Sequence, residues 1–133
     1  MNATADFTMP VRVEFEDVDS YRIAHHARLI VYLERCRVRL LEKAGFDLHD
    51  QRLQLVVYSL ATRFLKPARL GDILEVTAAV AAVDSLRIVL TCRIRRGSEL
   101  LVKAETTLAF ADAATGRVEP VPQLVAQQLR SMA

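Results

Sequence analysis

One long amphipathic helix followed by four long strands constrains this chain more than any other feature of its sequence. Between residues 28 and 44, apolar side chains recur at helical spacing, and arginine, glutamate and lysine fall on the other side. Gly45 follows and is a natural end for the helix. At 1.5 Å per residue the helix is about 25 Å long, so its apolar face needs a broad partner surface.

The rest of the chain supplies such a surface. Segments rich in strand-forming residues span 55–65, 73–83, 86–95 and 100–111. Asp84-Ser85 predicts a two-residue hairpin, residues 96–98 a slightly longer one, and residues 66–72 a wider turn. A short strand is predicted at 11–15 and a terminal helix at 122–129. Together these elements predict an α+β protein in which an antiparallel meander curls around the helix.

Composition narrows the class of protein. The 133 residues are 52% hydrophobic, which favours a single packed domain. The net charge of +2, with both signs interspersed, argues against nucleic acid as the main partner. The segment 73–83 is apolar on both faces, which predicts a homo-oligomer.

The two cysteines and the absence of targeting patterns point to one compartment. Cys36 and Cys92 fit no metal or redox motif and are predicted to be reduced core thiols of a cytoplasmic protein. No apolar run approaches the roughly 18 residues of a membrane helix. Residues 1–10 lack the basic and apolar regions of a signal peptide.

Acid and imidazole groups converge just before the long helix. Asp17 and Asp19 close the first predicted strand, and His25 and His26 precede the helix, all within the ten residues 17–26. A helix N-terminus supplies free backbone N–H groups and a positive partial charge, both suited to a developing oxyanion. The stretch therefore predicts a catalytic site.

At this point the chain resembles the hotdog-fold 4-hydroxybenzoyl-CoA thioesterase family, which includes the Tol-Pal-associated acyl-CoA thioesterases. The family's Asp-x-Asp loop, its histidine before the helix and its Glu-x-x-Arg within the helix are matched by Asp17-Val18-Asp19, His26, and Glu34-Arg35-Cys36-Arg37. Residues 65–72, 115–117 and Pro122 match later signatures. The resemblance covers nearly the whole chain. It implies one hotdog thioesterase-like domain over residues 1–133, with a long antiparallel sheet wrapped around one central helix.

The chain departs from the family pattern beside these residues. Tyr21 and Arg22 stand where the family usually has small residues or glycine, and Arg28 and Leu29 stand where Asn or Ser and then Tyr are common. A glycine replaced by Arg22 alters the loop if that position needs positive φ. These changes leave the acid and the imidazole in place and bear on the acyl pocket.

The resemblance implies roles for individual residues. Asp17 attacks the thioester carbonyl or activates water, and His26 orients the acid, polarises the carbonyl or protonates the leaving thiolate. Asp19 is expected to accept backbone N–H groups of the loop. Glu34 is expected to pair with Arg37, although another hotdog branch carries its catalytic base on the helix. The residues expected to bind substrate are Tyr21, Arg22, His25, Ala27, Arg28, Glu34, Tyr58, Ser59, Lys66 and Arg69.

The expected function is hydrolysis of an acyl thioester of coenzyme A or of an acyl carrier protein. No metal or separate cofactor is implied, since coenzyme A or phosphopantetheine enters with the substrate. Lys66 and Arg69, with Arg93, Arg95 and Arg96, are candidates for binding its phosphates. The oligomer would be a dimer or a dimer of dimers, with the pantetheine tunnel at a subunit interface. Two alternatives stay open, a hydratase or dehydratase on acyl thioesters and a non-catalytic acyl-thioester binder.

Overall fold

An antiparallel sheet packed on one long helix forms the body of the protein. The structure is a computed structural model that describes residues 7–133. Its elements are β1 (Phe7–Arg12), α1 (His26–Lys43), β2 (Leu53–Phe64), β3 (Ile73–Val83), β4 (Arg87–Arg96), β5 (Glu99–Asp112), β6 (Val118–Glu119) and α2 (Gln123–Met132). The strand order is β1-β3-β4-β5-β2, with β6 pairing β5 at its end. The predicted α+β class is confirmed.

The predicted meander of four consecutive strands is wrong in one respect. Hairpins link only β3, β4 and β5, whereas β2 pairs with the far side of β5, from Leu53 opposite Asp112 to Phe64 opposite Val102. The connection at 65–72 therefore crosses between sheet positions instead of folding back on β2. Its first residue extends the pairing of β2 with β5, since the N–H of Leu65 donates to the carbonyl of Leu101 at 2.8 Å, and further on the N–H of Leu70 donates to the carbonyl of Arg22 at 3.1 Å. Strand propensity alone does not encode this choice of partner.

The first strand also differs from its predicted bounds of 11–15. It runs from Phe7 to Arg12 and pairs with β3. Beyond it, the carboxylate of Asp17 accepts the N–H of Glu14 at 3.0 Å and closes a 3₁₀ turn over Phe15–Asp17. This local hydrogen bond competes with the sheet and ends the strand, although the apolar alternation continues to Phe15.

Two hairpins differ in length by one residue. Residues 84–86 connect β3 to β4, one residue more than predicted, because Asp84 accepts the N–H groups of both Leu86 and Arg87. Gly97 and Ser98 alone connect β4 to β5. Gly97 has φ +59°, the left-handed conformation that a two-residue hairpin requires. The predicted absence of a signal peptide at residues 1–10 falls largely on residues 1–6, which lie outside the described range.

The core lies between α1 and the strands β1, β3 and β4. The helix contributes the predicted stripe of Leu29, Leu33, Cys36 and Leu40, all at most 4% exposed. Cys36 and Cys92 both lie in the core as free thiols, and burial raises their pKa to about 12 and about 11. They therefore stay protonated and are poor nucleophiles. Neither helix in the described range is long and apolar enough to span a membrane.

Candidate functional site

The loop before α1 is held against the crossing connection. Isolated bridges join Val18 to Ala24 and Ile23 to Arg69. The N–H of Ala24 also donates to the carbonyl of Ala68 at 2.8 Å. These bonds fix the start of the helix beside residues 65–69, which follow β2.

Asp19 and Arg22 give the loop before α1 its conformation. As predicted, the carboxylate of Asp19 accepts backbone N–H groups, those of Tyr21 at 2.8 Å and Ile23 at 3.4 Å. Arg22 has φ +62°, so the loop keeps the left-handed path even though an arginine occupies the position. This conformation costs a side chain with a Cβ on the order of 1 kcal/mol or more. The surrounding bonds therefore hold Arg22 in a strained conformation.

Asp17 lies at the centre of a hydrogen-bonded cluster under the first turns of α1. Its side chain is 4% exposed. One oxygen, Oδ2, accepts the Tyr32 hydroxyl at 2.5 Å and the Glu14 N–H at 3.0 Å. The other oxygen, Oδ1, accepts Nε of Arg28 at 2.8 Å. The arginine that departs from the family pattern thus pairs with the predicted catalytic acid.

This environment fixes the protonation of both acidic groups. Burial by itself would raise the pKa of Asp17, but the hydrogen bonds from Tyr32, Glu14 and Arg28 and the charge of Arg28 together hold that pKa below its usual value. Burial and the hydrogen bond to Asp17 raise the pKa of Tyr32 far above its usual value. At neutral pH the pair is therefore a carboxylate and a neutral phenol.

At the N-terminal end of α1, one backbone N–H has no acceptor among the described residues. His25 caps the helix, and its Nδ1 accepts the N–H of Ala27 at 3.2 Å. The carbonyl of His25 accepts the N–H groups of Arg28 and Leu29. No acceptor in the described part of the chain faces the backbone N–H of His26. That N–H, at the positive end of the helix, is free to bind an oxyanion.

Two cavities flank this first turn. A polar groove of about 520 Å³ lies between β1 and α1 and is lined by Asp17, Arg28, Arg35 and Arg39. A smaller, mainly apolar cavity of about 240 Å³ lies on the other side and is lined by His26, Leu29, Phe64 and Leu65, among others. The structure thus brings Asp17 and His26 to the same helix end but to different cavities. The N–H of His25 donates to the carbonyl of Asp17 at 2.9 Å, so their backbones are adjacent.

The other predicted substrate-binding residues divide into three groups. Ala27 and Arg28 belong to the first turn, and the His25 ring stacks on His26 with centroids 4.3 Å apart. Tyr21 and Tyr58 are 80% and 68% exposed, and Ser59 follows the β-bulge of β2. In the third group, the Glu34 side chain pairs with Arg37 at 3.3 Å as predicted and the Lys66 side chain with Glu99 at 3.1 Å. Arg69 is held through its backbone, in the bridge to Ile23.

Sequence reasoning missed Tyr32. Its signal was available: Tyr32 follows Arg28 by four residues, so both lie on one helix flank beside the apolar stripe. A buried tyrosine needs a partner for its hydroxyl, and the aspartates of the preceding loop were candidate acceptors. The polar groove and the cavity beside Phe64 were also not predicted. Across residues 7–133, no group of three or more His, Cys, Asp or Glu side chains is placed to hold a metal ion.

Comparison with known proteins supplies a family context for this geometry. A family model described as the thioesterase-like superfamily matches residues 13–129. The acyl-CoA thioesterase YbgC of Haemophilus influenzae is 34% identical over 119 residues, covering 86% of each chain. The acyl-CoA thioester hydrolase YbgC of Escherichia coli O6:H1 is 29% identical and covers 98% of this chain and 99% of its own. A probable thioesterase from Bartonella henselae superposes with a TM-score of 0.81 at 25% identity, over 90% of this chain and all of that one. The predicted hotdog fold is confirmed.

Proposed function

Because the chain belongs to the thioesterase-like superfamily, we propose that it hydrolyses acyl thioesters of coenzyme A, with Asp17 as the carboxylate that acts on the thioester carbonyl. The observation that carries this proposal is the placement of an ionised, buried carboxylate beside the N-terminus of α1, where the backbone N–H of His26 has no acceptor among the described residues. The Haemophilus relative is an acyl-CoA thioesterase and the Escherichia relative an acyl-CoA thioester hydrolase, which supports coenzyme A as the carrier of the acyl group. No metal or separate cofactor takes part, since coenzyme A enters with the substrate.

In the proposed mechanism the thioester lies across the first turn of α1. Its carbonyl oxygen accepts the N–H of His26, where the helix dipole stabilises the negative charge of the tetrahedral intermediate. The acyl group occupies the cavity lined by Leu29 and Phe64, whose apolar walls suit a hydrocarbon. The imidazole of His26 lines the same cavity and is within reach to protonate the departing thiolate.

The two oxygens of Asp17 have different tasks in this proposal. Oδ2 keeps its bonds to Tyr32 and the Glu14 N–H, which orient the carboxylate. Among the described residues Oδ1 is held by Arg28 alone, whose side chain is 37% exposed, so it is the oxygen that can be released for chemistry. Once free, Oδ1 either attacks the carbonyl carbon or removes a proton from the attacking water.

A homo-oligomer accompanies this proposal. The helix α1 packs on β1, β3 and β4, which leaves the half of the sheet that ends in β2 less covered. Large apolar residues of this edge are 37–68% exposed: Val56, Val57, Tyr58, Leu60 and Phe64. An edge strand this long and apolar ordinarily pairs with another chain. We propose that a second copy covers it, which would also close the cavity at Phe64.

Light scattering tests the oligomer. Leu60→Arg places a charge on the proposed interface and should reduce the molar mass in solution. Val118→Arg is the matched control, because Val118 is 61% exposed on β6, away from this edge. A wild-type monomer, or equal behaviour of the two variants, would contradict the proposal.

A thiol-release assay tests the activity. Purified protein is mixed with a panel of short, long and aromatic acyl-CoAs, and with the matching acyl carrier proteins, in the presence of a thiol-reactive dye. Free thiol released from acyl-CoA supports the proposal. Faster thiol release from the acyl carrier proteins would instead identify an acyl carrier protein as the carrier of the substrate. Binding without thiol release would favour a non-catalytic binder, in which Arg28 keeps Asp17 occupied. A change at the acyl double bond would indicate a hydratase.

A further inference from the structure

Three cations lie side by side on the outer face of the sheet. Strand register places Lys103 of β5 directly opposite both Arg63 of β2 and Arg93 of β4. Arg93 alternates with the buried residues Cys92 and Ile94, so this cation row points away from the core. Of the three, Arg93 alone was predicted from the sequence. The β4–β5 hairpin places Lys103 beside Arg93, and the pairing of β2 with β5 places Arg63 on the other side of Lys103.

The three positive charges of the cation row form no ion pair with an acid among the described residues. Cross-strand neighbours have Cβ atoms about 4.5–5.5 Å apart, and like charges in such positions destabilise a sheet. None of the three takes part in the ion pairs formed within residues 7–133. The acid on the same face, Glu105, lies one register step further, opposite Ala61 and Thr91. The arrangement is therefore unfavourable unless an anion binds.

The cation row also lines a cavity that adjoins the proposed acyl site. This cavity, of about 810 Å³, is lined by all three cations and by the carboxylate of Glu105, together with Thr91, Leu100 and Leu65, among others. Leu65 also lines the cavity that holds His26. A substrate could thus extend from the acyl cavity past Leu65 to the cation row.

We propose that Arg63, Lys103 and Arg93 bind the phosphates of the nucleotide end of coenzyme A. Neighbouring strands are about 4.8 Å apart, so the row spans roughly 10 Å. That compact span suits the diphosphate and 3′-phosphate of one nucleotide, which carry several negative charges in a similar space. The inference rests on the proposed function for its substrate and refines it. Two of the phosphate candidates from sequence, Lys66 and Arg96, are already paired with Glu99 and Asp72.

The experiment compares substrates with and without the nucleotide. For wild type, Lys103→Gln and Arg93→Gln, kcat/KM is measured with an acyl-CoA and with the matching acyl-pantetheine. Each substitution should lower the ratio of the two values by roughly tenfold, since a charged hydrogen bond to phosphate is lost. Arg87→Gln is the matched control, because Arg87 lies on the same strand roughly 20 Å away.

Two readouts do not depend on hydrolysis. Adenosine 3′,5′-bisphosphate should bind wild type in calorimetry, and should bind Lys103→Gln roughly tenfold more weakly. Without ligand, Lys103→Gln should raise Tm by roughly 1–3 °C, because it removes the central of three opposed cations. A variant that is more stable yet binds the nucleotide less well is the signature of a ligand site.

The outcomes separate this inference from the proposed function. Hydrolysis of both substrates with an unchanged ratio in the variants overturns the cation row and leaves the thioesterase intact. Bisphosphate binding in a protein that releases no thiol upholds the row and overturns the hydrolysis. A loss confined to acyl carrier protein substrates, or a Tm that falls in Lys103→Gln, also overturns the inference. A loss confined to acyl carrier protein substrates would identify the cation row as a binding surface for an acidic protein.

Discussion

Two arginine–aspartate clusters in this protein look alike in a contact map and differ in what surrounds them. Arg28 bonds Asp17 at 2.8 Å, and Arg96 bonds Asp72 at 2.7 Å. In both, hydrogen bonds to the ionised form outweigh burial, so the pKa of each aspartate is lowered. An arginine–aspartate pair at this distance therefore does not by itself identify a functional site.

The surroundings distinguish the two clusters. The Asp17 carboxylate is 4% exposed, bonds a phenol from the core and borders a groove at the helix N-terminus. The Asp72 carboxylate is 21% exposed, and its cluster ties the crossing connection to the hairpin through Arg96, which also bonds Glu99. Burial, a neutral donor and the adjacent N–H of His26 are the reasons for proposing that the first carboxylate is the reactive one. The second fastens two loops together.

The largest expected effect separates the two aspartates directly. Asp17→Asn should lower kcat by about 10²- to 10⁴-fold, because the amide can neither attack the carbonyl nor accept a proton. It should also lower the free energy of unfolding by about 1–3 kcal/mol, since one buried donor loses its acceptor. Asp72→Asn is the matched control and should retain the wild-type kcat. Thiol release and chemical denaturation measure the two effects. An equal loss of turnover in both variants would remove the distinction between the clusters.

The second prediction concerns Tyr32, which has no counterpart in the Asp72 cluster. Removing its hydroxyl in Tyr32→Phe takes away a bond that stabilises the ionised carboxylate, so the pKa of Asp17 rises. The acid limb of kcat/KM should then move to higher pH. Thr106→Val is the control, since it removes another fully buried hydroxyl on β5 that has no partner among the described residues. A shift of the same size in Thr106→Val would assign the effect to general loosening of the core.

Several features of the fold and of the candidate site could be predicted from the sequence, because they depend on local signals. The helix bounds were correct to within two residues, because the apolar stripe from Leu29 to Leu40 and the glycine after Ala44 are local signals. The strand Ile73–Val83 was correct at both ends, since its flanking turns are also local. The pairing of Asp19 with its own loop followed from the turn chemistry of aspartate.

What the sequence did not provide depends on contacts between distant residues. The position of β2 beside β5 involves partners such as Leu53 and Asp112, which no local pattern connects. The bond from Tyr32 to Asp17 joins residues 15 apart and exists only once the loop folds under the helix. The cation row needs three strands in register before it can be seen. Local order was therefore predictable, whereas the details of the site were set by tertiary pairing.

The smallest expected effect tests the fastening role of the hairpin cluster. Arg96→Gln should leave kcat unchanged and lower the free energy of unfolding by no more than about 1 kcal/mol, because both partners are partly exposed and solvent screens them. The pKa of Asp72 is lowered in the folded protein, so this contribution is present above the unfolded pKa and is lost as pH falls through the folded value. Chemical denaturation of the wild type and of Arg96→Gln at pH 7 and at lower pH should show a difference in unfolding free energy that is present at pH 7 and shrinks as the pH falls.

Salt provides the last contrast between the clusters. In 1 M sodium chloride the Debye length is about 3 Å, so the destabilisation caused by Arg96→Gln should shrink. The destabilisation caused by Tyr32→Phe should persist, because a fully buried phenol bonding a buried carboxylate is poorly screened. If salt erased both effects equally, the carboxylate of Asp17 would be solvent-accessible in solution. Its ionisation would then not depend on Tyr32, and the proposed division between a reactive and a fastening aspartate would be contradicted.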